Sequence, residues 1–189
     1  PICSGEPTMR YRFVLLLPAL LLGGCASLSE DDCRSANWDD IGYRDGARGA
    51  GPDRAQDHAS ACVKYGITVD HEAWKRGYER GLGVYCTPEN AVQIALSGGN
   101  YGGVCPPESD AEFATHWRAA RPVYEQRQKV AQLEQRRREL EYAFSASDNE
   151  RQRYDARTEL ARVDEALRYE RERLYFEESR LDRFLSGIR

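Results

Sequence analysis

Trp38-Asp39-Asp40-Ile41-Gly42-Tyr43-Arg44-Asp45-Gly46-Ala47-Arg48-Gly49 is the stretch on which the fold turns, because Trp74-Lys75-Arg76-Gly77-Tyr78-Glu79-Arg80-Gly81-Leu82-Gly83 echoes it. Each copy carries Gly-Tyr-x2-Gly just after a tryptophan. Glycines four apart share one helix face, where the missing side chain lets another backbone approach closely. Each helical glycine costs about 1 kcal/mol against alanine, so a repeated set needs a packing reason. The spacing predicts two short helices packed glycine face to glycine face, with the tryptophans in the core. A second reading makes the same region a ligand groove. Trp38, Tyr43, Trp74, Tyr78 and Tyr101 would then face a glycan or other small ligand. No strand precedes the glycines, so the dinucleotide-binding fingerprint is not matched.

Upstream lie Met9-Arg10-Tyr11-Arg12, the apolar run Phe13–Leu22 and Gly23-Gly24-Cys25. A basic start, a short apolar stretch and a small pair ending on cysteine form a secretory signal of the lipoprotein kind. The apolar run contains Pro18 and falls well short of the roughly 20 residues a spanning helix needs. Leu22-Gly23-Gly24-Cys25 resembles the lipobox of bacterial lipoproteins. That resemblance implies a diacylglycerol thioether on Cys25, cleavage at its amino side and an N-acyl chain on the new amine; no other cofactor is expected. Two or three acyl chains, at ~0.8 kcal/mol per buried CH2, hold a protein on a bilayer. Ala26 stands where an Asp would resemble an inner-membrane retention signal. The expected site is therefore the outer membrane of the cell envelope, on its periplasmic face.

Four cysteines remain around the repeat: Cys33, Cys62, Cys86 and Cys105. An even number in an exported domain reads as two disulfides, and four cysteines permit three connectivities. The pairing Cys33–Cys62 and Cys86–Cys105 is preferred because each bridge closes a short loop around one local unit. Each is worth ~3–4 kcal/mol on the loop-entropy model. His58-x3-Cys62, with His71 near, would set two metal-ligand types one helical turn apart. It lacks the paired Cys-x2-Cys spacing, so no metal is expected. A Cys–His nucleophile needs a free thiolate, which bridging removes. The remaining candidate acids and bases are Asp45, Asp70, His71 and Glu72. An Asp in a first helical turn usually serves the helix dipole or a cap, so no catalytic residue is assigned and no enzyme activity is expected. After Cys86, Thr87 reads as a cap and Pro88 as a first helical position, opening a short helix to Leu96.

The ordered series Cys33-x4-Trp38-x3-Gly42-Tyr43-Arg44-Asp45-Gly46, Cys62, Trp74-x2-Gly77-Tyr78-x2-Gly81-Leu82, Tyr85-Cys86-Thr87-Pro88-Glu89-Asn90 and Tyr101-x-Gly103-Val104-Cys105-Pro106 is similar to the domain of unknown function 2799. That family is a group of bacterial envelope lipoproteins. The resemblance spans about Cys33–Tyr124 and departs mildly at Trp117-x2-Ala120, where the family has Tyr-x2-Gly. It implies export, lipidation and a cysteine-pinned module, and it supplies no catalytic residue or substrate.

From Ala111 onward Gly and Pro almost vanish, and Arg, Glu, Leu and Ala dominate. Apolar residues recur at Val123, Val130, Leu133, Leu140 and Phe144. They resume at Leu160, Val163, Leu167, Leu174, Leu181, Phe184 and Ile188. These steps of three and four, or their sums, are broken by Arg137, Glu170 and Glu177. Ser147-x2-Glu150 has the form of a capping box. The pattern predicts two helices of about 35–39 residues, roughly 50–60 Å each, in an antiparallel hairpin.

The expected fold is mainly α: a small disulfide-pinned, glycine-rich helical module followed by a long, coiled-coil-like hairpin. Residues 1–8 read as an upstream extension, 9–24 as signal, 25–32 as a lipidated tether, 33–110 as the cysteine-rich module and 111–189 as the hairpin. The formal net charge of −4 is spread over interleaved signs, which does not suggest a nucleic-acid partner. The functional expectation is a non-catalytic envelope lipoprotein acting as an interaction or scaffold protein. Its arm would meet an envelope protein or a cell-wall polymer, and self-association through 111–189 is open to it.

Overall fold

The computed structural model describes residues 27–187, so the expected 1–8 extension, signal and Cys25 lipidation, and Ile188, lie outside the described residues. Those residues form α1 (Glu30–Arg34), α2 (Trp38–Ala47), α3 (Arg54–Cys62), α4 (His71–Tyr85), α5 (Pro88–Leu96), α6 (Pro107–Ala146) and α7 (Glu150–Ser186), with no strand among them. The starts are written locally. Ser29, Asn37, Asp70, Thr87 and Asn149 each accept a first-turn backbone N–H with a side-chain oxygen, a contact typically worth ~1 kcal/mol. Among the described residues no helix is long and apolar enough to cross a membrane.

The module is built on α2 against α4. A Cβ added at Gly42 or Gly46 would come closer than 3.0 Å to the carbonyl oxygen of Trp74 or Tyr78. One added at Gly77 or Gly81 would meet the carbonyl of Asp39 or Tyr43 just as closely. The glycines thus let two helix backbones touch, as the spacing predicts. Around the crossing Ile41, Ala55, Trp74, Tyr78 and Leu82 form one buried cluster, with Trp38 and Leu28 packed on it. The bridges are Cys33–Cys62 and Cys86–Cys105. The first ties α1 to α3; the second closes the loop after α4 beside a cluster of Tyr85, Ala91 and Phe113.

The hairpin is present, with three corrections to the sequence reading. Its first helix begins at Pro107, not at 111, and runs unbroken through Pro122 to Ala146. Proline suits a first helical position, so Pro106-Pro107 opens the helix instead of ending the module. The first turns of α6 belong to the module's packing: Ala120 and Val123 are buried with Val92 and Ala95 of α5 and Leu181 of α7, and Phe184 packs on them. The cap of α7 is Asn149, whose side chain accepts from the Arg151 and Gln152 amides. The expected Ser147–Glu150 box is not made; the Ser147 hydroxyl instead bonds Gln152 and the Asn149 amide. The third correction concerns the tether. Residues 27–32 are not free chain: Leu28 packs on the core, Ser29 and Asp32 form a capping box and α1 starts at Glu30.

Farther along, α6 and α7 pack on each other through Val130, Leu133, Leu140, Leu160, Val163, Leu167 and Leu174. Glu170 breaks the apolar pattern for a reason visible at the seam. The buried Gln126 side-chain amide donates to the Glu170 carbonyl (2.9 Å) and to its carboxylate.

Candidate functional site

The polar centre of the module is Asp45, 1% exposed on α2. Its Oδ2 accepts from His58 Nε2 on α3 (2.8 Å) and from Trp74 Nε1 on α4 (2.9 Å). Its Oδ1 accepts from an Arg48 guanidinium nitrogen at 3.2 Å. A buried carboxylate needs such partners, because an unpaired one costs several kcal/mol. His58 is 2% exposed. Its Nδ1 lies 2.9 Å from the Ser27 hydroxyl oxygen; with Nε2–H donated to Asp45, a neutral ring accepts the hydroxyl proton there. Ser27, His58, Asp45 and Trp74 thus form one chain of hydrogen bonds joining the N-terminal segment to three helices.

Ser27, His58 and Asp45 line an open cleft of about 790 Å³ between the N-terminal segment, α2 and α3. Arg44, Arg48 and Arg54 line it beside Asp32 and Asp40. Arg48 and Arg54 pair with Asp45 and Asp57. The Asp32 carboxyl is held below the ordinary carboxylate range, first by hydrogen bonds from Ser29, with Arg44 adding a smaller attraction. The cleft offers guanidinium and carboxylate groups side by side. The Ser–His–Asp order resembles a general-base array, with the ring reversed: Asp45 meets Nε2 and Ser27 meets Nδ1. The bonds knit the segment to the module, and the array makes a positioning device.

The five aromatic residues read as ligand-facing do not share a groove. Trp74 and Tyr78 are buried and stacked on each other, with ring centroids 4.6 Å apart. Tyr78 donates its hydroxyl to the Ala50 carbonyl (2.6 Å), and burial raises its pKa. Trp38 packs half-buried on the same cluster. Tyr43 is exposed, with the Arg80 guanidinium 6.0 Å from its ring centre. Tyr101 lies in the other cluster against Phe113. Its hydroxyl donates to the Asp110 carboxylate and accepts from the Cys105 amide, and burial with that carboxylate pushes its pKa up to about 12. Trp38, Trp74, Tyr78 and Tyr101 thus have packing or loop-pinning roles, and Tyr43 lines the α2–α3 cleft.

The other candidates are also dispersed. Asp70 caps α4, while His71 and Glu72 stand exposed in its first turn. Cys62 is bridged and so offers no thiolate beside His58. The sequence reading noticed His58 and Asp45 separately and missed their pairing. It also missed Ser27, which lies 31 residues from its partner.

A family model described as a protein of unknown function (DUF2799) matches residues 37–122. Residues 37–122 belong to the DUF2799 family. The DUF2799 segment holds α2 to α5 and the first turns of α6, and it stops at Pro122 inside that helix. Asp45, His58 and Trp74 lie inside it, whereas Ser27 and Cys33 precede it. No curated protein and no solved structure matches the chain.

Proposed function

We propose that this chain is a bacterial cell-envelope lipoprotein, anchored through lipid on Cys25 at the outer membrane. In this reading it acts as an interaction or scaffold protein through its hairpin arm. One observation carries it. Five aromatic side chains stand out from α6 and α7: Tyr142 (74% exposed), Tyr154 (66%), Tyr169 (57%), Tyr175 (67%) and Phe176 (59%). Tyr and Phe are enriched where proteins meet partners, and on an arm otherwise covered by Glu and Arg they are its main sources of apolar contact area. The arm needs no ligand to hold its shape, since its seam is apolar and its surface pairs internally, as in Arg127–Glu178 and Arg171–Glu134. The partner is an envelope protein or a cell-wall polymer.

The test is photo-crosslinking in intact cells from probes along Glu134–Arg138 and Arg168–Leu174, with recovered species identified by mass spectrometry. The expected result is one abundant envelope component, lost when Tyr154, Tyr169, Tyr175 and Phe176 are changed together to Ser. Crosslinks only to lipid or to the chain itself would overturn the arm reading.

A further inference from the structure

We infer that the Ser27–His58–Asp45–Trp74 chain is a clasp that seats the module directly on the bilayer, with the α2–α3 cleft against phospholipid headgroups. This rests on the lipid anchor at Cys25 proposed above. Eight residues of free tether would let the module drift by up to about 26–29 Å from its lipid. The structure leaves no such freedom. Ser27 is bonded to His58, Leu28 packs on the core, Ser29 and Asp32 cap α1 and Cys33 is bridged to Cys62. Only two peptide steps, about 7.6 Å at most, separate Cys25 from Ser27. That span is about the thickness of one headgroup layer. A chain fixed at Ser27 therefore carries its cleft at headgroup level.

The chemistry of the cleft suits that position. Arg44, Arg48 and Arg54 line the same opening as Asp32 and Asp40, with Arg48 and Arg54 also paired to Asp45 and Asp57. Arg44 makes no ion pair among the described residues. Guanidinium groups bind phosphate, and carboxylates bind ammonium. The side-by-side set matches a zwitterionic headgroup that bears both.

The test uses the full-length lipidated protein in mixed phosphatidylethanolamine–phosphatidylglycerol vesicles. Tyr43, which is exposed and lines the cleft, is replaced by a photoreactive phenylalanine, and its crosslinks to phospholipid are counted. A second protein carries a six-residue Gly/Ser spacer between Ala26 and Ser27. The spacer leaves clasp and fold intact and adds about 20 Å of reach. The expected outcome is lipid crosslinking in the unspaced protein and a drop of about tenfold with the spacer, with Ser27→Ala falling between them. Equal yields in the two proteins, or none in an unspaced protein that mass spectrometry shows to be acylated, would overturn the clasp. An unacylated Cys25 would remove the anchor itself, so the two failures are distinguishable.

Discussion

At the scale of single residues, the module stands on positions where one atom decides the outcome. Gly77→Ala would drive a methyl into the Asp39 carbonyl and the Tyr43 amide, both backbone groups that cannot swing aside. It should cost about 3 kcal/mol or more, at the upper end of overpacking penalties. Gly83→Ala, in the same helix with open space around it, should stabilise by up to about 1 kcal/mol. Paired urea melts check both signs. Asp45→Asn keeps the shape but turns an amide toward buried donors, and a loss of about 2–4 kcal/mol is expected. Arg48 adds little to that figure because its side chain is 72% exposed. Thermal melts of Asp45→Asn against Arg48→Ala should therefore separate widely. The glycines were legible in the sequence because a four-residue period is a local signal. The Asp45–His58 bond was not: its partners sit on different helices, and no periodicity links positions 45 and 58, still less 27.

Helix boundaries were legible where a cap stands alone and misread where two cap forms overlap. Ser147-x2-Glu150 and Asn149 both offer a start for α7, and the structure uses Asn149. Asn149→Ala should then cost about 1 kcal/mol, and Ser147→Ala clearly less. Helicity of the two variants near the thermal midpoint checks the ranking. The hairpin seam was readable from steps of three and four. Glu170, which looked like a flaw in the pattern, is held by Gln126. Acid should loosen elements through the carboxylates that cations or hydroxyls hold low. Arg80 lowers Asp39 first through its hydrogen bond, Arg171 does the same for Glu134, and Ser29 for Asp32. A carboxylate whose folded pKa is depressed stabilises above its unfolded pKa, and that stability is lost as the pH falls toward the folded one. The urea midpoint should hold above about pH 5 and fall below about pH 4. Arg80→Ala together with Arg171→Ala should flatten that fall. The effect stays small, since Asp32 is exposed and Asp39 and Glu134 are only partly buried.

For the whole molecule, module and arm share a base and part company beyond it. The end of α7 returns to cover α5 and the start of α6, with Leu181 and Phe184 on Val92, Ala95 and Ala120. Truncation after Pro122 would strip that cover and should melt the module. Removing one heptad from each helix instead, residues 131–137 and 160–166, keeps the base and shortens the arm by about 10 Å. The shortened chain should stay folded, with a cooperative thermal melt that the truncation after Pro122 lacks. The composition shift near residue 111 marked the arm correctly but placed its root too late, because a helix that serves two bodies shows no compositional break where they join. The proposed lipid anchor is decided at Cys25. The decisive measurement is the intact mass, with fragmentation of the N-terminal peptide, of the protein purified from its native cells. A mature chain beginning at Cys25 and carrying a diacylglyceryl group with an N-acyl chain is the predicted result. A bare Cys25, or cleavage at another residue, would contradict it.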